Sequence, residues 1–117
     1  MQKILNINLN DYKEIHAKID IEIIPAKNNY GKFINVKKED ELFYHIYFNN
    51  NTKEVKRNYF TKKDNVSKIK IIIDYQVESF WNLFYQCYCI ESINFKKFYR
   101  NNINIFIIYK DNLKKIY

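Results

Sequence analysis

Three groups of residues carry side chains that can do chemistry. Cys87 and Cys89 stand one residue apart in "LFYQCYCIES", His16 and His45 lie in separate stretches of the first half, and Glu39, Asp40 and Glu41 run together in "KKEDE". A Cys-x-Cys pair supplies two thiolates, whereas a structural zinc site asks for four ligands. With no third cysteine and both histidines far away along the chain, a structural role is expected for the pair. The acidic run reads as a solvated turn, because no set of polar residues converges with it into an acid–base pocket. Gly31 is the lone glycine, so there is no glycine-rich phosphate loop, and no G-x-S-x-G nucleophile motif is present. These observations lead us to expect a non-enzymatic protein with no cofactor, no metal and no small-molecule substrate.

A fourth group is basic. Lys53, Lys56, Arg57, Tyr59, Lys62 and Lys63 place cations around an aromatic ring, the kind of surface that tracks a phosphate backbone while bases stack on it. A solvated hairpin face accounts for the same residues. The net charge is +7, with 10 Lys and Arg against 5 Asp and Glu in residues 61–117 and 10 against 8 in residues 1–60. Such a field favours anionic partners. Abundant Ile, Lys, Asn and Tyr are also what AT-rich coding produces, so nucleic-acid binding through the Lys53–Lys63 segment stands as the alternative reading rather than the first.

Positioning these residues needs a fold, and 117 residues suit one domain with its own core. One Gly and one Pro leave turn formation to Asn and Asp, which tolerate left-handed backbone. In "EIHAKIDIEII" Ile15, Ala17, Ile19, Ile21 and Ile23 alternate with polar residues, as a half-buried strand requires, and Leu5, Ile7 and Leu9 repeat the pattern briefly. "ELFYHIYF", "NNN" and "TKEVKRNYF" read as a hairpin, and "VSKIKIIIDY" as a further strand. Beyond Glu78 the period changes. Phe80, Leu83, Phe84 and Cys87 fall at i, i+3, i+4 and i+7, the stripe of a short helix capped by Ser79, and Ile90, Ile93 and Phe95 then mark a strand. The expected class is α+β: a small, mostly antiparallel β unit over residues 1–77, with a helix/strand segment over 78–117 packed on it as one compact domain.

Leu83, Phe84, Ile90 and Ile93 are answered 23 positions later by Phe106, Ile107, Leu113 and Ile116. A fixed period of this length is how stacked repeats announce themselves. The segment also resembles the BspA-type leucine-rich repeat, through Leu83, Phe84, Cys87, Ile90, Ile93, Phe95, Phe98, Asn102 and Ile103 in order and spacing. "YFTKKDNVSKIKIIIDYQVESF" is similar to the β-rich lead-in before the first repeat of that family. The second unit departs from the pattern, with Lys110 in place of its Cys and a sequence that stops at Tyr117 inside its strand.

The resemblance implies a protein-interaction or structural module of leucine-rich-repeat type. It implies that Cys87 points into the repeat core from the end of the helix, that Cys89 lies in the turn, and that Ser92, Asn94 and Lys96 line the exposed strand face where a partner binds. Leu113 and Ile116 would lie at the open end of the stack, there to meet another protein or a second copy of the chain. Trp81, Tyr85 and Tyr88 either fill the junction between the two units or form an exposed anchor. The longest apolar run, Ile103–Tyr109, is broken by Asn104 and falls short of the ~20 residues a membrane span needs. With no secretory signal visible, a soluble cytoplasmic chain is expected.

Overall fold

The computed structural model describes residues 18–97 and the backbone of Lys115 and Ile116. Seven strands are found there: β1 (Ile19–Pro25), β2 (Gly31–Lys32), β3 (Tyr44–Phe48), β4 (Tyr59–Phe60), β5 (Ile69–Ile73), β6 (Ile90–Lys97) and β7 (Lys115–Ile116). Five of them form one sheet in the order β3-β5-β1-β6-β7, and β2 pairs with β4 in a small second sheet. The pairings β3–β5, β5–β1 and β1–β6 are antiparallel, while β6 and β7 run parallel.

Alternation along the strands sets the two faces of the sheet. Ile19, Ile21 and Ile23 of β1, Ile69, Ile71 and Ile73 of β5, and Tyr44, Ile46 and Phe48 of β3 are all buried. Their neighbours, among them Asp20, Glu22, His45, Tyr47 and Lys70, are half-buried or exposed. The apolar face is covered by a second layer in which Phe33 and Phe60 pack edge-on or tilted around Phe48, with ring centroids 5.8 to 6.5 Å apart. Phe80, Leu83, Phe84 and Cys87 complete that layer. Turns fall where the composition predicts them. Of the five described non-glycine residues with left-handed φ, four are Asn: Asn28, Asn49, Asn65 and Asn82.

The expected α+β class is corrected here to a mostly antiparallel β architecture. Among the described residues there is no α-helix, only the 3-10 turns Lys38–Phe43 and Lys62–Asp64. The predicted helix at Phe80–Cys87 is instead a ribbon of successive tight turns, closed by i to i+3 bonds from Leu83 to Phe80, Tyr85 to Asn82 and Cys87 to Phe84. Left-handed backbone at Asn82 (φ 57°) and Gln86 (φ 59°) stops helical propagation twice within five residues. The carbonyls that a helix would use internally find another partner. Asn35 donates from its side-chain amide to the carbonyls of Asn82 at 2.8 Å and Tyr85 at 2.7 Å, and from its backbone N–H to that of Leu83 at 2.7 Å. Ser79 accepts from the Trp81 N–H in a local turn instead of capping a helix. The apolar stripe does reach the core, since Phe80, Leu83, Phe84 and Cys87 are all buried. Helical spacing therefore identified which side chains go inside, but not the backbone that carries them.

The hairpin at "NNN" also needs correction. Asn49–Asn51 is a turn, but among the described residues the returning chain makes only an isolated backbone bridge to β3, between Ile46 and Val55. The full antiparallel partner of β3 is β5, in register from Tyr44–Ile73 to Phe48–Ile69. Asn49 ties the turn to that later strand: its side-chain oxygen accepts from the Ser67 N–H at 2.7 Å and the Ser67 hydroxyl at 2.8 Å, and its own N–H donates to the Lys68 carbonyl.

Strand β6, from the segment beyond residue 77, lies in the same sheet as β1. Its parallel partner β7 pairs Ser92 with Lys115 and Ile93 with Ile116, which is the 23-residue spacing read in the sequence.

Candidate functional site

The second face of the sheet is polar across four strands. One row runs Tyr47, Lys70, Glu22, Asn94 over β3, β5, β1 and β6, and the next runs His45, Ile72, Asp20, Lys97. Lys96 follows Asn94 on this face by alternation, and a register shift between Asp20 and Ile21 inserts an extra residue in β6 so that Lys97 stands opposite Asp20. Glu22 sits between two ammonium groups, Lys68 and Lys96, each at 3.8 Å. Lys70 is exposed, and the described ion pairs do not include it. The Asn49–Thr52 turn rises at one side of this face and walls a groove of about 540 Å³, with Tyr47, Lys68, Lys70 and Lys96 in its lining. Ammonium groups, carboxylates, primary amides and one phenol in a single open groove suit polar recognition.

Beside the groove, His45 is held between two carboxylates from different parts of the chain. Its Nδ1 lies 2.6 Å from Glu54 Oε1 and its Nε2 lies 2.9 Å from Asp74 Oδ2. Ionised carboxylates only accept, so both contacts are hydrogen bonds when both ring nitrogens carry protons. Burial of the ring opposes its charge, but hydrogen bonds and charge from Asp74 and Glu54 outweigh that effect and raise the His45 pKa. Glu54 is held below its ordinary value, chiefly by its hydrogen bond to Lys56 and then, against some desolvation, by His45. Lys18 approaches Asp74 at 3.9 Å from the other side. Position 45 comes to this array because β3 turns its alternate residues to the polar face, Glu54 precedes the Val55 bridge, and Asp74 follows the last residue of β5.

Several residues expected to bind a partner are placed differently. Asn94 and Lys96 are on the polar face as expected, but Ser92 is buried at 8% exposure. Ser92 keeps regular register with Asn94, opposite Ile24 of β1 and Lys115 of β7, and the bulge lies beyond it at Glu91. Ile116 belongs to β7 by its backbone pairing, and Leu113 lies outside the described residues.

In the basic segment Lys53, Lys56, Tyr59, Lys62 and Lys63 are exposed, whereas two of its cations are committed. Arg57 forms a two-pronged ion pair with Asp64 at 2.8 and 2.6 Å and lies against the rings of Phe48 and Tyr59, at 5.4 and 5.1 Å from their centroids. That pairing holds the Asp64 carboxyl well below the usual carboxylate range, with the Thr61 N–H adding to it. Lys56 is bonded to Glu54. The segment is thus braced by internal charge pairs, and Lys53, Lys62 and Lys63 are its exposed cations outside the described ion pairs.

Cys87 is fully buried, and burial pushes its thiol up to about 12. Cys89 lies in a turn, as expected, and is buried as well. Its thiol donates to the Lys32 carbonyl at 3.1 Å, and desolvation raises its pKa. Two thiols held protonated in this way are poor nucleophiles and poor ligands. Trp81 and Tyr88 are exposed, while Tyr85 is half-buried. Sequence reasoning missed the His45 array. The alternation of β3 could have put His45 on the polar face, but nothing local points to Glu54 or Asp74 as its partners. No family model, curated protein or solved structure matches the chain.

Proposed function

We propose that the chain is a non-enzymatic protein-interaction module of leucine-rich-repeat kind that receives an acidic protein partner on the polar face of its sheet. The groove between the Asn49–Thr52 turn and β5, β1 and β6 carries this reading. Lys70, exposed and outside the described ion pairs, offers an ammonium group to an incoming carboxylate. Lys68 and Lys96 share one internal carboxylate, Glu22, and so retain charge for another. Asn50, Asn51 and Thr52 add neutral donors and acceptors along the rim. The parallel register of Ile93 with Ile116 supports the repeat part of the reading, because it keeps the 23-residue spacing.

The test is an amide chemical-shift titration at low salt with a short peptide rich in Asp and Glu, with single-stranded and duplex oligonucleotides in parallel. Peptide-induced shifts centred on Tyr47, Lys70 and Lys96, and weakened at least about tenfold by the pair Lys70→Glu and Lys96→Glu, are expected. Absence of peptide binding would overturn the reading. Oligonucleotide shifts centred on Lys53, Lys62 and Lys63, lost steeply as salt rises, would replace it with the nucleic-acid alternative.

A further inference from the structure

We propose that Glu54, His45 and Asp74 form a pH-operated latch that fixes the turn walling the groove to the sheet. The turn leaves β3 at Asn49, and its far end returns at Glu54 and Val55. At the near end it is anchored by Asn49 bonding Ser67 and Lys68, groups that do not titrate near neutral pH. At the far end two attachments hold it, the single Val55–Ile46 backbone bridge and the His45–Glu54 contact. Asn50–Lys53 between these ends are described with no side-chain hydrogen bond or ion pair.

The imidazolium satisfies both carboxylates at once. A neutral ring can donate to one of them only, and its other nitrogen then presents a lone pair to a carboxylate oxygen at 2.6 or 2.9 Å. Repulsion at that contact is relieved when one carboxylate withdraws. Glu54 is the one that moves, because it has Lys56 as a second partner two residues along the same loop, whereas Asp74 sits directly after β5. The charged groups around the ring among the described residues are Glu54 and Lys56 from the loop, Asp74 after β5 and Lys18 before β1, with Asp20 next along the row beyond Ile72. Both acids in direct contact favour the protonated ring. The raised His45 pKa sets the sign: the latch is closed in acid and opens as pH rises through the folded-state value. The latch stands on the array alone and holds whatever occupies the groove.

His45 and His16 are the two histidines of the chain, so their ring protons can be followed together by NMR across pH while amide exchange is read at Asn50–Val55. Three results are expected. His45 titrates above the ordinary value of about 6.5. Amide exchange at Asn50–Val55, corrected for base catalysis, accelerates at least about fivefold through the same midpoint, with exchange at Ile71 unchanged. His45→Gln abolishes the pH step, and Glu54→Gln lowers the midpoint, which keeps the test alive should the first variant not fold. A midpoint at or below 6.5, or turn exchange indifferent to the His45 titration, would overturn the proposal. So would a His45→Gln protein that keeps the step.

Discussion

Strand β5 and the turn ribbon Phe80–Cys87 bury their apolar side chains equally well, with Ile69, Ile71, Ile73, Phe84 and Cys87 all inaccessible to solvent. They differ in where their backbone polar groups go. β5 lies between β3 and β1 and bonds to both along its length, so that its ladder is redundant. Three carbonyls of the ribbon, at Asn82, Leu83 and Tyr85, accept from one residue more than forty positions away, Asn35, and only that of Asn82 also accepts a backbone N–H from within the ribbon, that of Tyr85. Apolar burial therefore reports which side chains enter the core, and the distribution of backbone partners reports how easily a segment can come loose.

Breaking this contrast begins with its robust member. Ile71→Ala removes a fully buried side chain from the central ladder and should cost about 2–5 kcal/mol. The loss should appear as one cooperative urea transition at a lower midpoint with unchanged slope. A second transition would show that β5 can open alone, contrary to a redundant ladder. Asn35→Ala comes next, at about 1–3 kcal/mol, because it leaves the Tyr85 carbonyl without its N–H donor and removes one of the two donors to the Asn82 carbonyl. Its signature is local: amide exchange at Leu83, Tyr85 and Cys87 should accelerate more than at Ile71. Equal acceleration in both places would merge the two regions into one unit. The smallest effect belongs to Asn82. Asn82→Ala puts a Cβ-bearing residue with no local side-chain bonding into left-handed backbone and should cost about 1 kcal/mol, whereas Asn82→Gly should change the melting temperature little. An alanine variant as stable as the parent would show that the ribbon can adopt another backbone path.

Legibility in the sequence followed the same division. Strands β1 and β5 were readable because a half-buried strand writes its period into Ile19, Ile21, Ile23 and Ile69, Ile71, Ile73. β6 was readable from Ile90 and Ile93, and the 23-residue echo gave its register with β7. The ribbon was misread as a helix because helical spacing and a chain of tight turns can send the same four side chains inward. What separates them is Asn35, and a residue that far along the chain leaves no trace in a local pattern. Asn94 and Lys96, which the repeat resemblance implied as exposed strand positions, lie on the polar face. Ser92 shares that register but is buried, which alternation alone does not show, and His45 went unassigned because Glu54 and Asp74 meet it only once β3, the Val55 bridge and β5 are assembled.

The sheet order carries a temporal consequence. Strand β1 has β5 and β6 as its neighbours, so Ile23 meets its first partner, Ile69, only after 46 further residues have been made. At about 5–20 residues per second that wait is on the order of 2–10 s during synthesis, apart from the length held in the ribosome tunnel. Through that interval the nascent chain displays an alternating row of isoleucines before either of its described partner strands, β5 and β6, has been made, and the closing contacts, being distant in sequence, form slowly once they become available. The middle strand of the sheet is thus the one that the ribosome delivers first among the described strands.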